Sequence, residues 1–262
     1  MIAEELASHG FIVALVESPF AGFIMTAAGQ LVIDTSGRYE TPAAHRAGVA
    51  VWSRDVSFAL DQLQEAPLPR DVERVARAID WTRVGAAGHS SGGLVAIATC
   101  ESDPRVRSCA NLDGGVAAPT KEPMADFVPL GTTKPTLFLR SKPLYSDADF
   151  ARRGITRGEW VKRGEGGKVA LDSFVTRARG PLWMGSIAGT GHMSFSDAPF
   201  VMPSTITRFG GKIIDPVRGL EAISATLRAF FELTFDMKTS ALHEVTAKYP
   251  EVLVDRVDAS RR

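Results

Sequence analysis

Short apolar runs alternate with amphipathic stretches along the chain. The runs have the length and uniform apolar character of strands buried on both faces of a parallel sheet; they lie at residues 11–16, 84–87, 106–112, 135–139 and 182–188. Apolar side chains at helical spacing predict helices at residues 2–8, 46–64, 71–80 and 220–235. The alternation predicts an α/β fold, with a mostly parallel sheet and helices on both faces, in a single domain over residues 1–262.

The segments between these elements are richer in glycine, proline and charge. Residues 20–45 are expected to form a long excursion, within which residues 30–34 are the stretch that could add a strand to the sheet. Residues 117–134 are expected to form a loop.

The second half of the chain has a different organisation. Residues 142–180 are polar and charged and are a candidate lid or cap segment, with helices expected near 147–152 and 169–177. The run at 182–188 is expected to be the last strand, and residues 237–262 a helical or loose C-terminal tail.

Composition limits the possible partners. Lysine plus arginine and aspartate plus glutamate number 30 each, so nothing favours nucleic acid or an anionic membrane surface. Apolar runs are too short for a membrane span, and Glu4 and Glu5 stand where a secretory signal would be basic. Cys100 and Cys109 are expected to be buried small apolar residues, and neither a disulfide framework, a metal site nor a cofactor is implied.

The strongest local motif is Gly-His-Ser-Ser-Gly at residues 88–92, between a strand pattern and a helix pattern. This G-x-S-x-G context predicts a sharp turn that exposes the hydroxyl of Ser90 as a nucleophile. The turn is expected to require glycine at Gly88 and Gly92, because larger side chains at these positions would collide across it. The helix that follows directs the Ser91 backbone N–H toward an oxyanion.

A serine nucleophile requires a general base, and on this type of fold the base comes last in the chain. His192 follows the run at 182–188 in a glycine-flanked loop at the carboxyl edge of the sheet, and it is the predicted base. Three other histidines are expected to lie on the surface: His9 at a helix end, His45 in a loop and His243 in the tail. His89, inside the motif, is expected to point away from Ser90.

The base in turn requires an orienting carboxylate. Asp113 ends a predicted strand and is followed by two glycines, which makes it the best-placed candidate. Asp147 and Asp149 follow the next strand and remain alternatives, whereas Glu17 lies ahead of the nucleophile in the chain.

These motifs carry a resemblance to a known family. Four segments resemble the plasma-type platelet-activating-factor acetylhydrolases and their bacterial relatives. They are residues 88–93, which contain the Gly-His-Ser-Ser-Gly motif, Leu-Asp-Gly at 112–114, Gly-His-Met-Ser-Phe-Ser-Asp at 191–197, and residues 6–14. That group belongs to the α/β-hydrolases and is similar to the dienelactone hydrolases. The resemblance implies the α/β-hydrolase fold, Asp113 as the acid, and calcium-independent hydrolysis of small-molecule esters, often with short acyl chains.

The chain departs from this family at its start. In the family, two or three strands and a glycine-bearing loop that supplies the second oxyanion amide precede the helix at residues 2–8. The strand between those at 11–16 and 84–87 also has no counterpart. We therefore expect the N-terminal strands to be missing, because the chain is part of a longer product, has a misassigned start or is a degenerate form. Relatives are often exported, and any signal would lie upstream.

The residues together favour a serine-dependent carboxylic ester hydrolase. Met193, Phe195, Phe200 and Pro19 could line an acyl or alcohol pocket, with at least one of them in the core instead. Two alternatives use the same residues: a hydrolase-fold protein that binds a ligand with little catalysis, and transfer of the acyl group to an alcohol.

Overall fold

A five-stranded sheet forms the centre of the computed structural model, which describes residues 1–18, 23–25, 29–33, 41–65, 67–116, 132–202 and 213–257. Its strands, in spatial order, are β3 (Val84–His89), β4 (Val106–Leu112), β5 (Thr136–Lys142), β6 (Leu182–Ala188) and β7 (Val252–Arg256). The first four are parallel, and β7 is antiparallel to β6. The predicted mostly parallel sheet is therefore confirmed.

Helices cover both faces of the sheet. In chain order they are α1 (Ile2–Ser8), α2 (Pro42–Glu65), α3 (Arg70–Ala76), α4 (Ser91–Ser102), α5 (Asp147–Arg152), α6 (Arg157–Arg177), α7 (Ala198–Val201), α8 (Pro216–Thr234) and α9 (Ala241–Lys248). A short 3₁₀ helix spans His192–Phe195.

The two faces of β5 show how the core is divided. Leu137 and Leu139 face a cluster that includes Phe230 of α8, whereas Phe138, on the opposite side of the strand, packs in a cluster with Ile97 of α4 and Phe174 of α6. This alternation follows from the two-residue period of a strand. Apolar residues on both sides are expected because both faces are covered by helices.

The segment at residues 11–16 is a correction to the sequence analysis. It is not a strand, and Ile12 and Leu15 are exposed by 46% and 81%. Phe11 and Val13 still pack against the core cluster that contains Phe230. Within the described residues β3 has a partner only on its β4 side, so the segment has no strand between itself and β3 to supply hydrogen bonds. Its apolar character alone does not create a strand without that pairing.

Residues 20–45 lie partly outside the described part of the chain. Their described portion contains a separate antiparallel hairpin of β1 (Phe23–Met25) and β2 (Leu31–Ile33). Residues 31–33 of the stretch at 30–34 pair within this hairpin and not with the central sheet, and residue 34 lies outside the described residues. Most of the predicted 117–134 loop lies outside the described residues.

Several predicted helix and strand boundaries also change. α2 begins at Pro42 rather than near residue 46, because the Thr41 hydroxyl accepts a hydrogen bond from Ala44 N and caps the helix. The predicted helix at 71–80 is shorter, and its expected apolar face is largely exposed, with Val72 and Val75 41% and 46% accessible.

The C-terminal segment contains the expected helix, α9, and also a strand that was not expected. The run at 182–188 is not the last strand, because residues 252–256 pair with it from the far side. This strand was missed because Val-Leu-Val-Asp-Arg is short, half charged at its end and only partly buried at a sheet edge. Arg218 of α8 binds Glu251 just before β7 and ties the tail to the domain.

The expectations for the two cysteines and for helices within residues 142–180 are confirmed. Cys100 on α4 and Cys109 on β4 are buried free thiols. The candidate lid segment contains the expected helix α5 and the longer α6. No described helix combines the length and apolar character required to cross a membrane.

Candidate active site

The loop between β3 and α4 forms a strained turn at Ser90. Its backbone has φ 58° and ψ −123°, a conformation that L-residues rarely adopt. The turn is held from both sides, because Ser90 N donates to Leu112 O at 3.0 Å and Gly93 N donates to Ser90 O at 3.0 Å. Such strain is retained where the surrounding structure fixes it, often at functional sites.

The glycines around this turn are not equivalent. A Cβ on Gly88 would lie 2.1 Å from the carbonyl oxygen of Gly92, as the sequence predicts. A Cβ on Gly92 would meet nothing within 4 Å, so the expected collision there is wrong. The second close approach occurs instead at Gly93, whose Cβ would lie 2.6 Å from the Asn111 side chain. The close packing of α4 on β4 therefore requires glycine at position 93, one residue after the position expected from the motif.

The structure brings the three predicted residues Ser90, His192 and Asp113 together. His192 Nε2 lies 3.1 Å from Ser90 Oγ, and His192 Nδ1 lies 2.8 Å from Asp113 Oδ2. The His192 side chain is 49% exposed, whereas that of Asp113 is only 9% exposed. The imidazole is therefore accessible to a small molecule from solvent, and the carboxylate supports it from inside.

Asp113 is placed by the end of β4. It has a positive φ of 53°, and its backbone N donates to Leu139 O at 2.8 Å. Its carboxylate also accepts hydrogen bonds from Ser141 N at 2.7 Å and Ser141 Oγ at 2.9 Å. Burial works to raise the pKa of Asp113, but the hydrogen bonds from His192 and Ser141 outweigh burial and lower it below its ordinary value. Asp113 is therefore ionised at neutral pH.

His192 lies in a loop held by its own hydrogen bonds. The chain leaves β6 through Gly189, which has a φ of 79°, and Thr190 Oγ1 donates to Ile187 O at 2.7 Å. Gly191 N donates to Ser194 Oγ at 3.1 Å and closes the short 3₁₀ turn. These bonds fix where the imidazole leaves the backbone.

His89 lies against the predicted base. Its ring centroid is 4.5 Å from that of His192, and the ring stacks on Phe195 at 6.2 Å. Burial, followed by the proximity of His192, lowers the pKa of His89, so its ring is neutral at neutral pH. Of the four apolar residues expected near the pocket, Phe195 is one that belongs to the core, since it is only 3% exposed.

The other acidic candidates have different roles. Asp149 accepts hydrogen bonds from Ser146 N and Oγ and caps α5, and it also pairs with Arg152. Asp147 is an exposed partner of Arg157 at 3.0 Å. Glu17 is exposed. Of these carboxylates, only Asp113 has a contact with His192.

His45 is a further correction. Its sequence position predicts a surface loop, but His45 lies in the first turns of α2 and is only 9% exposed. Its Nε2 lies 3.0 Å from the hydroxyl of Ser91, the residue after the predicted nucleophile. The Thr-Pro pair at 41–42 is a helix-start signal that would have placed it correctly. His9 and His243 are exposed, as expected.

Two supporting residues were missed by the sequence analysis. Ser141 stands at the carboxyl end of β5, an edge where site residues gather, and that position is a usable signal. Asn111 is 1% exposed, and its Oδ1 accepts from Gly114 N at 2.7 Å, which fixes the turn that contains Asp113. A buried asparagine within an apolar strand is the signal that could have identified it.

The surroundings of the candidate site are partly described. Met193 and Phe200 are 41% and 37% exposed, so both can contact a ligand from solvent, whereas Pro19 lies outside the described residues. Histidine, cysteine, aspartate and glutamate side chains form no group of three or more suited to a metal ion in the ranges described.

Comparison with known families identifies the chain. The family model of platelet-activating factor acetylhydrolase, isoform II, matches residues 64–245 of the 262.

The chain belongs to the platelet-activating factor acetylhydrolase isoform II family.

The matched region contains Ser90, Asp113 and His192. A solved ferulic acid esterase from Streptomyces cinnamoneus is also similar, with a TM-score of 0.70 and 25% identity over 97% of this chain and 68% of that one. A search of curated proteins gives no match. The acetylhydrolase family and the esterase structure together support an α/β-hydrolase fold and an ester hydrolase.

Proposed function

We propose that this acetylhydrolase-family protein is a serine-dependent carboxylic ester hydrolase that acts through an acyl-enzyme. The observation that supports it is the pair of short contacts from His192, to Ser90 Oγ at 3.1 Å and to Asp113 Oδ2 at 2.8 Å. Each contact lies within the range for proton transfer or orientation of a general base.

In the acylation step, Ser90 Oγ attacks the ester carbonyl carbon while His192 Nε2 takes the hydroxyl proton. The ionised Asp113 accepts a hydrogen bond from Nδ1–H and stabilises the imidazolium. His192 then gives the proton to the leaving alcohol oxygen as the ester C–O bond breaks. The acyl group remains on Ser90.

In the deacylation step, a water molecule attacks the acyl carbon and His192 accepts its proton. The carboxylic acid leaves as Ser90 regains its hydrogen. The Ser91 backbone N–H, at the start of α4, is the proposed oxyanion donor in both steps. The half-exposed imidazole and the accessible Met193 favour small or short-acyl esters that approach from solvent.

The test compares Ser90→Ala with Ser102→Ala, a control at the exposed C-terminal end of the same helix. With p-nitrophenyl acetate and butyrate as substrates, we expect Ser90→Ala to reduce kcat by about 10⁶-fold, as for serine hydrolase triads generally. Ser102→Ala should keep its activity. A fluorophosphonate should label the wild type and the control but not Ser90→Ala.

Two outcomes contradict the proposal. Unchanged turnover in Ser90→Ala would refute the assignment of the nucleophile. A folded wild-type chain that neither hydrolyses these esters nor takes up the fluorophosphonate would instead favour the ligand-binding alternative. Ester products formed with an added alcohol acceptor would identify acyl transfer.

A further inference from the structure

His45 is a buried histidine that the mechanism above does not use. It shares one face of α2 with Val49 and Trp52, which are 0% and 5% exposed and pack in the same cluster as Leu94 of α4. The Thr41 cap fixes the start of the helix one turn earlier. The imidazole therefore has a fixed position relative to the helix that begins at Ser91.

The hydrogen-bond pattern determines the tautomer of His45. Its Nε2 lies 3.0 Å from Ser91 Oγ, whereas its buried Nδ1 has no hydrogen-bond partner in the described part of the chain. A buried N–H without an acceptor is rarer and more costly than a lone pair without a donor. The proton therefore belongs on Nε2, which donates to Ser91 Oγ. Burial also lowers the pKa of His45, which keeps the ring neutral at neutral pH.

This bond matters because of where Ser91 lies. A serine in the first turn of a helix can accept hydrogen bonds from nearby backbone N–H groups, and such local bonds compete with the helix geometry. With His45 holding the hydroxyl toward α2, the Ser91 side chain is restrained and its peptide is fixed beside Ser90.

We propose that His45 is a positioning residue for the oxyanion site, which holds Ser91 through its hydroxyl and so fixes the Ser91 backbone N–H. This inference rests on the proposed function, since it assigns His45 a role in stabilising the oxyanion. His45 acts only through Ser91 and does not contact the substrate.

The test uses five variants, three of them single substitutions at His45 and His9, with p-nitrophenyl acetate as substrate. His45→Leu removes the Nε2–H donor and fills the buried position with an apolar side chain. His45→Gln instead places an amide N–H near the position of Nε2. Loss of one hydrogen bond that positions the amide should reduce kcat about tenfold in His45→Leu, with little change in KM. His45→Gln should recover most of this loss. His9→Gln, at the exposed end of α1, is the matched control and should behave as wild type.

A double-mutant cycle tests whether His45 acts through Ser91. Ser91→Ala should lower kcat by a similar factor, and the double variant His45→Leu/Ser91→Ala should be no worse than either single variant. The rate of fluorophosphonate labelling of Ser90 should fall in parallel, because phosphonylation also develops negative charge on an oxygen. A purely structural role for His45 would lower the melting temperature without this coupled change in kcat.

Three results would overturn the inference. One is a wild-type kcat in a folded His45→Leu; another is additive losses in the double variant. If His45→Leu does not fold, Ser91→Ala decides alone, and a wild-type kcat in that variant contradicts the proposal. None of these results affects the dependence on Ser90, so failure of the inference is distinguishable from failure of the proposed function.

Discussion

Alanine at Gly88 and at Gly92 should have opposite effects, although both glycines belong to the same motif. A Cβ on Gly88 would lie 2.1 Å from Gly92 O and 2.3 Å from Gly92 C, which are backbone atoms that cannot rotate away. Overpacking typically costs 1–3 kcal/mol, and a clash with backbone belongs at the upper end, at about 3 kcal/mol. The Gly92 position has open space and lies in the first turn of α4, so alanine there should stabilise the fold by about 0.5–1 kcal/mol.

These free energies translate into measurable melting temperatures. An unfolding entropy of about 2.1 cal/mol/K per residue gives about 0.55 kcal/mol/K for 262 residues. Gly88→Ala should therefore lower Tm by about 5 °C, and Gly92→Ala should raise it by about 1–2 °C. A displacement of about 1 Å at the nucleophile turn should also reduce kcat of Gly88→Ala by about 10²-fold.

The assay is thermal unfolding followed by circular dichroism, combined with p-nitrophenyl acetate hydrolysis on the same samples. Gly92→Ala serves as the internal control, since it makes the same chemical change four residues away. A Gly88→Ala variant with the melting temperature and kcat of the wild type would refute the predicted clash. A Gly92→Ala variant as destabilised as Gly88→Ala would refute it as well.

Three further predictions concern charge and reactivity. Asp113→Asn should keep the fold by circular dichroism but lower kcat by about 10⁴-fold, because an amide favours the wrong imidazole tautomer; wild-type kcat would exclude Asp113 as the acid. Arg105 lowers the pKa of buried Asp103 to about 2, because its hydrogen bonds to the carboxylate outweigh the effect of burial. The ionised carboxylate therefore stabilises the fold above about pH 4. This contribution, about 2 kcal/mol, is lost as the pH falls toward 2. Acid unfolding of Arg105→Ala should show a smaller loss over that range than the wild type, and an equal loss would refute the pairing. The Cys109 thiol and burial raise the pKa of Cys100, so Cys100 should resist iodoacetamide until the protein is unfolded, and rapid labelling of the native chain would contradict its burial.

Much of the candidate site could be predicted from sequence because its information is local. A glycine-bounded serine between a strand and a helix can form only a few turns, and the structure places Ser90 in one of them. Asp113 and His192 follow strand ends, and parallel strands bring such ends to one edge of the sheet. The residue-type patterns therefore predicted which residues meet, and the structure adds the distances.

The rest depends on contacts between distant parts of the chain. Residues 11–16 are as apolar as the true strands, but strand formation requires a neighbour for the backbone groups. His45 was assigned to the surface because the predicted start of α2 was four residues late, and its burial against Ser91 depends on helix packing. Ser141 is an ordinary serine until β5 is placed beside Asp113.

The pairing of β7 with β6 has a consequence for how the protein is made. β6 leads into the loop of His192, and its outer neighbour, β7, is the last described strand, whereas Ser90 and Asp113 lie at the ends of β3 and β4. A ribosome therefore releases Ser90 and Asp113, the proposed nucleophile and acid, long before β7, the strand beside the β6 edge that leads to His192. We expect Ser90 on a nascent chain to stay unreactive toward a fluorophosphonate until β7 has emerged. On the proposed mechanism, ester hydrolysis would thus begin only when β7 docks against β6.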